Sequence, residues 1–265
     1  MSTRTKSSKD QADPLFINAV GRAMEVLHAV ANARRPVTVS DIARSASITQ
    51  SNAWRICYTM QKLGYLTCDE TGLFRPALPL LSLGYAALAS DGFDQLAKPL
   101  MTELATRFKG IAGIAIRDKL SMMFLNRWED ADVMVTLKRL PGSLMPLITT
   151  AMGWAYLASM DDTERRKLLH EIKTVQPKEY IVALPEFEKE LARFQSKGFI
   201  VSSGLFYSNS GFAATVIQNR ALSTKYVLIC GGMISSLNRT VLAREVGPAL
   251  MSAAAKLQIA LDALS

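Results

Sequence analysis

Residues 49–64 alternate apolar and polar positions with the period of an amphipathic α-helix. On a wheel of 3.6 residues per turn, one stripe is apolar and consists of Ala53, Ile56, Cys57, Met60 and Leu63. The opposite face has no acidic residue; it carries Ser51, Arg55, Tyr58 and Lys62, flanked by Gln50, Trp54, Asn52 and Thr59. Thr49 suits the N-cap and Gly64 the C′ position. The pattern predicts a helix that packs one face on a core and leaves a polar face available.

Two shorter patterns precede this helix and a hairpin pattern follows it. Residues 19–33 predict a first helix, whose apolar face is Val20, Ala23, Leu27, Val30 and Ala31. Thr38 and Asp41 have the spacing of a capping box, which predicts a second, short helix. Only residues 45–48 separate that helix from Thr49, a connection typical of a helix-turn-helix. Residues 65–68 and 73–75 flank a turn at 69–72 and predict two short strands. Residues 16–76 therefore predict a winged helix-turn-helix domain.

Two other interpretations of these patterns remain open. A helix with one Arg and one Lys on its outer face is usually a solvated surface helix. A winged helix can also be a protein-interaction module that binds no specific DNA. The order and spacing of three helices and a hairpin favour the DNA-binding interpretation.

Several of these segments together resemble a known family. They are residues 22–27 (RAMEVL), 39–44 (VSDIAR), 51–56 (SNAWRI), 63–66 (LGYL) and 74–75, with 146–153 (PLITTAMG) and 155–158 (AYLA) further on. They resemble the IclR (isocitrate lyase regulator) family of bacterial transcription factors, over nearly the whole chain and most specifically in its first third. The resemblance implies a DNA-binding domain, a linker helix, a GAF-like effector-binding domain and assembly into homodimers or homotetramers.

The remainder of the chain predicts one linker helix and an α+β domain. Residues 77–92 contain a hydrophobic helix suited to burial against a second subunit, with packing on its own domain as the alternative. Residues 93–265 alternate helical and strand patterns. The predicted helices cover residues 96–108, 150–160, a stretch from 161, 185–196 and 240–264. The predicted strands cover residues 111–117, 121–126, 133–140, 199–203, 212–218 and 226–233, a roughly six-stranded antiparallel sheet.

Charge and composition agree with this organisation. The chain has a net charge of +8 and a pI of about 9.5, which favours a polyanionic partner such as double-stranded DNA. Residues 1–15 are polar and basic and predict a disordered arm. The three cysteines include no Cys-x-x-Cys pair and predict free thiols in a reducing cytoplasm. No signal peptide or apolar stretch of membrane-spanning length is visible, so we expect a cytoplasmic protein with no membrane partner.

The predicted DNA contacts lie on the third helix, at the start of the second and in the wing. Arg55 is expected at a guanine edge or a phosphate, and Lys62 and Gln50 at phosphates. The wing turn carries Asp69 and Glu70, so a contribution of the wing to DNA affinity is in doubt. Ser47 stands where the family favours Gly, which predicts strain if its backbone is left-handed. The full predicted set is Thr38, Gln50, Ser51, Asn52, Trp54, Arg55, Tyr58, Lys62 and Arg75.

The resemblance also implies a small-molecule effector pocket. Its predicted lining is Met145, Leu147, Thr149, Thr150, Ala151, Met152, Phe212, Ala214, Ile229 and Gly231. Thr149, Thr150 and the first amides of the following helix suit a carboxylate. Polar residues that the family often has at the other end of the pocket are replaced here by Ile229 and Gly231. We therefore expect an apolar or aromatic effector, with an effector-blind regulator as the alternative.

Catalysis is not expected. The two histidines have no neighbouring ligand or nucleophile, and no Asp or Glu occurs between Glu190 and Glu245. We expect no catalytic residues, no metal site, no cofactor and no enzymatic activity.

Overall fold

The computed structural model describes residues 14–89, 92–131 and 140–264, which form two units. The units divide between Ala87 and Leu88, inside helix α4 (Leu80–Ala89). The predicted arm at residues 1–15 lies almost wholly outside the described residues, and the predicted domain boundary lies a few residues beyond the observed division.

The first unit has the order expected of a winged helix-turn-helix. It contains helices α1 (Asn18–Ala33), α2 (Val39–Ser45) and α3 (Gln50–Lys62), followed by strands β1 (Leu66–Cys68) and β2 (Phe74–Pro76). The two strands pair antiparallel, and a bridge from Val37 to Phe74 attaches the hairpin to the segment before α2. This confirms the predicted architecture.

The core of this unit forms where the apolar faces of its helices meet. Its fully buried members include Val26, Val30, Ile42, Ala53, Cys57 and Leu66. Three predicted core positions are wrong. Two of them are large side chains, of which Val20 is 57% exposed and Leu63 is 61% exposed. Both lie at the ends of their helices, beyond the turns that pack on the core. Ala31, also predicted to face inward, is exposed.

The helix ends form as the sequence predicts. Thr38 caps α2 in a capping box with Asp41, and Thr49 caps α3 by accepting a hydrogen bond from the Asn52 amide. Gly64 follows α3 with a φ of 78°. Ser47 has a φ of 55°, so the residue that replaces Gly in this turn does take the left-handed conformation. That conformation costs a non-glycine residue about 1–2 kcal/mol.

The second unit is built on a six-stranded antiparallel sheet of order β5-β4-β3-β8-β7-β6. The strands are β3 (Ile111–Asp118), β4 (Ser121–Glu129), β5 (Leu144–Pro146), β6 (Ile200–Ser203), β7 (Ser210–Asn219) and β8 (Thr224–Met233). Five of them lie where the sequence predicts strands. The predicted strand at residues 133–140 lies almost entirely outside the described residues, and β5 was not predicted.

Helices cover both faces of this sheet. One face packs against α5 (Phe93–Arg107), the short α9 (Arg239–Val241), a π-helical turn (Leu242–Val246) and α10 (Gly247–Leu264). The other face packs against α6 (Ala151–Ala158), α7 (Asp162–Val175) and α8 (Pro177–Lys197). The long terminal helix was predicted without its π-helical turn, because the pattern of apolar residues does not distinguish the two helix types. In the described part of the chain, no helix combines the length and apolarity needed to cross a membrane.

The start of α8 corrects the prediction. We expected this helix to begin at Pro185, but it begins at Pro177 and Pro185 lies inside it. A proline inside a helix removes one backbone hydrogen bond and costs about 3 kcal/mol. Here Ala183 and Phe187, one turn apart on either side of Pro185, are fully buried in the core beneath α6. Their burial offsets the cost of the proline.

Candidate DNA-contacting surface and ligand pocket

The outer face of α3 is exposed along its whole length. Ala53 and Cys57 attach the helix to the core, so the residues opposite them face solvent. The Trp54 and Tyr58 rings stack with their centroids 5.5 Å apart, and the Lys62 ammonium lies 5.4 Å from the centre of the Tyr58 ring. The structure thus brings Ser51, Arg55, Tyr58 and Lys62 onto one exposed face, with Gln50 and Trp54 beside them and the half-buried Asn52 at its margin.

The start of α2 is held by reciprocal hydrogen bonds. The Asp41 amide donates to Thr38 Oγ1 at 3.2 Å, and Thr38 Oγ1 donates to the Asp41 carboxylate at 3.0 Å. The bond from the Thr38 hydroxyl is the main cause of the lowered pKa of Asp41. Thr38 itself remains exposed, as a contact to a DNA phosphate requires.

The wing turn is organised around Asp69. Its carboxylate accepts hydrogen bonds from the Thr71 hydroxyl at 2.6 Å and from the Leu73 amide at 3.0 Å. The pKa of Asp69 is lowered, chiefly by the Thr71 hydroxyl and then by the Leu73 amide. Arg75, a predicted DNA contact, pairs with Asp69 at 3.1 Å. The ion pair satisfies this arginine within the wing and weakens the case for it as a phosphate contact.

The second unit contains a pocket over one face of the sheet, beside the start of α6. It encloses about 600 Å³ of space, including the part open to solvent at its mouth. Most of its walls are apolar. The lining residues are Ile111, Phe124, Arg127, Met145, Thr149, Thr150, Ala151, Met152, Ser202, Leu205, Phe206, Tyr207, Ser210, Phe212 and Ile229.

Most of the predicted effector residues meet at this pocket. Met145, Thr149, Thr150, Ala151, Met152, Phe212 and Ile229 line it. Leu147, Ala214 and Gly231 do not. Leu147 and Ala214 are fully buried in the core beneath the pocket. Gly231 is paired with Phe212 in the sheet, and the Phe212 ring lies over it, where a Cβ on Gly231 would come within 2.6 Å of the ring.

The polar side of the pocket comes from residues that the sequence argument missed. They are Arg127, Ser202, Tyr207 and Ser210. These four residues add polar groups to a lining that is otherwise mostly apolar, as expected. The Arg127 side chain is mostly buried and forms an ion pair with Glu129, whose side chain is half exposed. Arg127 is thus a lining residue whose charge is paired with Glu129.

A β-bulge explains why the sequence did not predict Arg127 as a pocket residue. Strict alternation along β4 would place Phe124 and Arg127 on opposite faces of the sheet, because they are three residues apart. The pairing with β3 shifts at Leu125: Ala115 lies opposite Phe124, but Ile114 lies opposite Asn126. The extra residue reverses the alternation, so Arg127 lies opposite Gly113 and on the pocket side.

Two threonines at the start of α6 are lining residues of the pocket. Thr150 caps the helix, because its Oγ1 accepts a hydrogen bond from the Gly153 amide at 3.2 Å and donates to the Pro146 carbonyl at 3.0 Å. The neighbouring Thr149 Oγ1 is buried and has no hydrogen-bond partner among the described residues. A buried hydroxyl without a hydrogen-bond partner destabilises the fold by about 1–3 kcal/mol. A polar ligand group that forms a hydrogen bond with it would remove this cost.

Among the described residues, there is no cluster of three or more His, Cys, Asp or Glu side chains that could hold a metal ion. Cys57, Cys68 and Cys230 are free thiols. Burial raises the pKa of Cys230 to about 12 and is the main cause of the raised pKa of Cys57, about 11. Neither thiol is suited to nucleophilic chemistry at neutral pH.

Comparisons with known proteins identify the family of both units. Residues 19–70 match the IclR helix-turn-helix domain, and residues 85–256 match the bacterial transcriptional regulator IclR C-terminal domain. The Pca regulon regulatory protein of Pseudomonas putida is 28% identical over 158 residues, which cover 59% of this chain and 54% of that protein. The chain's match thus spans about half the length of that relative.

Solved structures show the same fold over nearly the full chain. An IclR family transcriptional regulator from Brucella abortus superposes with a TM-score of 0.88 at 28% identity, covering 96% of each chain. An IclR homolog from Microbacterium hydrocarbonoxydans, solved in complex with 4-hydroxybenzoate, has a TM-score of 0.71 at 20% identity and covers 92% of this chain and 99% of its own. Together with the family domains, which span most of its length, these likenesses establish that the chain belongs to the IclR family of bacterial transcriptional regulators, which join a helix-turn-helix DNA-binding domain to a C-terminal effector-binding domain.

Proposed function

We propose that this regulator reads operator DNA with the outer face of α3, acts as a homodimer or homotetramer, and responds to a small aromatic carboxylic acid bound in the pocket beside α6. The observation that carries the effector proposal is the buried, unpartnered Thr149 hydroxyl at the wall of a mostly aromatic and aliphatic pocket. The ligand is bound and released unchanged, in the cytoplasm where bacterial DNA lies.

The charge of α3 supports DNA reading. Its exposed face carries Arg55 and Lys62 and no carboxylate, so it does not repel phosphates. Arg55 lies in the middle of that face, where a side chain of its length reaches a guanine edge in the major groove. Lys62 lies in the last turn and suits a phosphate at the groove margin.

Exposed apolar residues support oligomerisation. On the first unit Leu81, Leu83 and Tyr85 of α4 are more than half exposed, as are Leu15 and Ile17 before α1. Large apolar side chains exposed in such number are costly in water and typical of a protein interface. A second copy of the chain is the partner we propose, because a two-fold dimer presents two recognition helices to half-sites one helical turn apart.

The pocket supports an aromatic acid. Phe124, Phe212 and Ile229 offer flat apolar walls to a ring. Thr149 Oγ1 and the positive end of α6 suit a carboxylate, and Arg127 provides a cation on the pocket wall. The 4-hydroxybenzoate complex of the Microbacterium hydrocarbonoxydans homolog is consistent with this ligand class. A ligand that favours one arrangement of the subunits would shift the population of the DNA-binding form.

Fluorescence anisotropy on the DNA upstream of its own gene tests the DNA proposal. We expect preferential binding over scrambled DNA, with affinity that falls steeply as salt rises because phosphate contacts release counterions. Arg55→Ala should weaken specific binding by about 10- to 100-fold, the range for losing one good base contact. Arg166→Ala, which removes an exposed cation on α7, is the matched control and should have no effect. Equal, salt-insensitive binding to both DNAs would instead favour a protein-interaction module.

Calorimetric titration with 4-hydroxybenzoate tests the effector proposal. Thr149→Val keeps the shape of the side chain but removes the hydroxyl, so we expect about a 10- to 100-fold loss of affinity, the range for a hydrogen bond to a charged group. Thr174→Val, on exposed α7, should leave affinity unchanged. The neutral analogue 4-hydroxybenzamide should bind more weakly than the acid. Equal binding of acid and amide, or no difference between the two variants, would refute carboxylate recognition at Thr149. Recovery of the ligand unchanged after incubation checks that no reaction occurs.

A further inference from the structure

Two large aromatic side chains project from a helix face that is otherwise polar. Trp54 is 55% exposed and Tyr58 is 47% exposed, although Ala53 and Cys57 already attach α3 to the core. Their rings lie 18° from parallel, with centroids 5.5 Å apart, and form one continuous apolar surface. Neither ring contributes to the core of the unit. Exposed aromatic area of this size is unfavourable in water, so it indicates contact with a partner.

The two rings together span a distance close to two base-pair steps. Residues four apart on a helix are separated by about 6 Å along its axis. Successive base pairs are separated by about 3.4 Å along a DNA strand. A helix lying in the major groove therefore carries the paired rings across about two base-pair steps.

The groups that each base presents in the major groove determine which bases the paired rings can cover favourably. Guanine, adenine and cytosine present hydrogen-bond donors or acceptors there, whereas thymine also presents an apolar C5-methyl group. The flat face of an aromatic ring, unlike the indole N–H of Trp or the hydroxyl of Tyr at its edge, offers no hydrogen bond in exchange for a covered donor or acceptor, so covering one with that face carries a desolvation penalty. A methyl group against a ring is favourable, since both apolar surfaces leave water.

We propose that Trp54 and Tyr58 read the C5-methyl groups of thymines at two adjacent base-pair steps of the operator, beside the base that Arg55 contacts. This rests on the proposed function, in which α3 enters the major groove. The cation of Lys62, held near the Tyr58 ring, then lies at the end of the aromatic surface, where it meets a phosphate. The chain thus reads part of its operator by shape and apolarity rather than by hydrogen bonds.

Removing single methyl groups from the DNA tests this directly. The operator is first selected from a random pool of duplexes with the full-length protein, and each thymine is then replaced in turn by deoxyuridine. Deoxyuridine keeps every hydrogen-bonding group and lacks only the C5-methyl. We expect one or two replacements to weaken binding by about fourfold each, the value for one buried methyl group. Replacements elsewhere in the site should have no effect.

Variants of the two aromatic residues link the effect to the rings. Trp54→Ala and Tyr58→Ala should each weaken binding to the thymine operator and should each become insensitive to one of the deoxyuridine replacements. Tyr58→Phe retains the ring and should remain as sensitive as the wild-type protein. Both positions are exposed, and unchanged melting temperatures would confirm that the variants fold.

The outcomes separate this inference from the function on which it rests. If the protein binds its selected operator specifically but tolerates every deoxyuridine replacement, the reading of thymine methyls is overturned and the DNA-binding function stands. If no sequence is enriched from the pool and binding is insensitive to salt, both are overturned, and the aromatic surface becomes a candidate contact for a protein partner.

Discussion

At the scale of single residues, one carboxylate holds the wing together. Asp69 accepts hydrogen bonds from two residues of its own turn and pairs with Arg75 on the opposite strand. Its folded pKa lies below its unfolded value, so its contribution to stability is complete above the unfolded pKa and is lost as the pH falls through the folded pKa. The turn should therefore loosen in acid.

We predict that Asp69→Asn lowers the melting temperature of the first unit at neutral pH and that this difference disappears in acid, where the wild-type carboxylate is protonated. Thermal unfolding followed by circular dichroism over a pH series measures both effects. Glu70→Gln removes the adjacent, exposed carboxylate and serves as the control. A difference between Asp69→Asn and the wild-type protein that persists unchanged into acid would show that the charge of Asp69 does not stabilise the turn.

At the scale of elements, the start of α6 depends on a close approach of backbones. A Cβ on Gly153 would lie 1.8 Å from the Leu147 carbonyl oxygen, so this position accepts only glycine without movement of the helix. The same approach positions Thr149 and Thr150 at the pocket wall. The geometry of the candidate effector site therefore depends on a residue that does not line it.

We predict that Gly153→Ala destabilises the second unit by about 1–3 kcal/mol, the usual cost of overpacking, and weakens effector binding. Urea unfolding and calorimetric titration measure the two effects. Gly84→Ala in α4 is the matched control, because its Cβ meets no atom within 4 Å. That change should stabilise its helix by about 0.5–1 kcal/mol. A neutral effect of Gly153→Ala would mean that α6 can move away from Leu147 at little cost.

A second element-scale feature is the buried carboxylate of Glu190. It accepts a hydrogen bond from the Val201 amide of β6 at 2.9 Å and from the Arg239 guanidinium at the start of α9 at 2.6 Å. Arg193, one turn along α8, pairs with the same carboxylate at 2.5 Å. One side chain thus connects a helix, an edge strand and the start of the terminal helix.

We predict that Glu190→Ala destabilises the second unit by about 2–4 kcal/mol, since it removes several charged hydrogen bonds and leaves the Val201 amide unpaired. Chemical denaturation measures the loss. Glu188→Ala, on the exposed side of the same helix, should change stability little. Equal effects of the two substitutions would show that the connection through Glu190 is not important for stability.

At the scale of the whole molecule, the division of the chain at Ala87 and Leu88 separates the residues proposed to contact DNA from those proposed to bind the effector. Each unit has its own hydrophobic core, so each should unfold as its own cooperative unit. Along the chain, the two proposed sites are connected through α4.

We predict two unfolding transitions in scanning calorimetry of the full-length protein. 4-Hydroxybenzoate should raise the midpoint temperature of the transition that belongs to the second unit and leave the other unchanged. At a ligand concentration 100 times its Kd, the expected stabilisation of that unit is about 2.7 kcal/mol. Tryptophan fluorescence of single-tryptophan variants assigns the transitions, because Trp54 lies in the first unit and Trp128 and Trp154 lie in the second. A single transition that shifts as a whole with ligand would show that the two units unfold together.

The sequence alone determined the features that depend on neighbours within a few residues. The apolar stripe of α3, the caps at Thr38 and Thr49 and the hairpin after Gly64 are set by helix period, capping chemistry and turn residues, which act locally. They predicted the winged helix-turn-helix and the exposed face of α3. The family resemblance added the location of the pocket, including Thr149, Met152 and Phe212.

Only the tertiary structure decided the features that depend on partners distant in sequence. Arg127 faces the pocket because a bulge against β3 reverses the alternation of β4, and nothing in the β4 sequence signals that bulge. Likewise α8 runs through Pro185 because burial of Ala183 and Phe187 outweighs a local preference. Local signals thus determined most of the elements, but not β5 or the start of α8. Strand register and core packing, which are set by contacts between elements, decided which polar residues line the pocket.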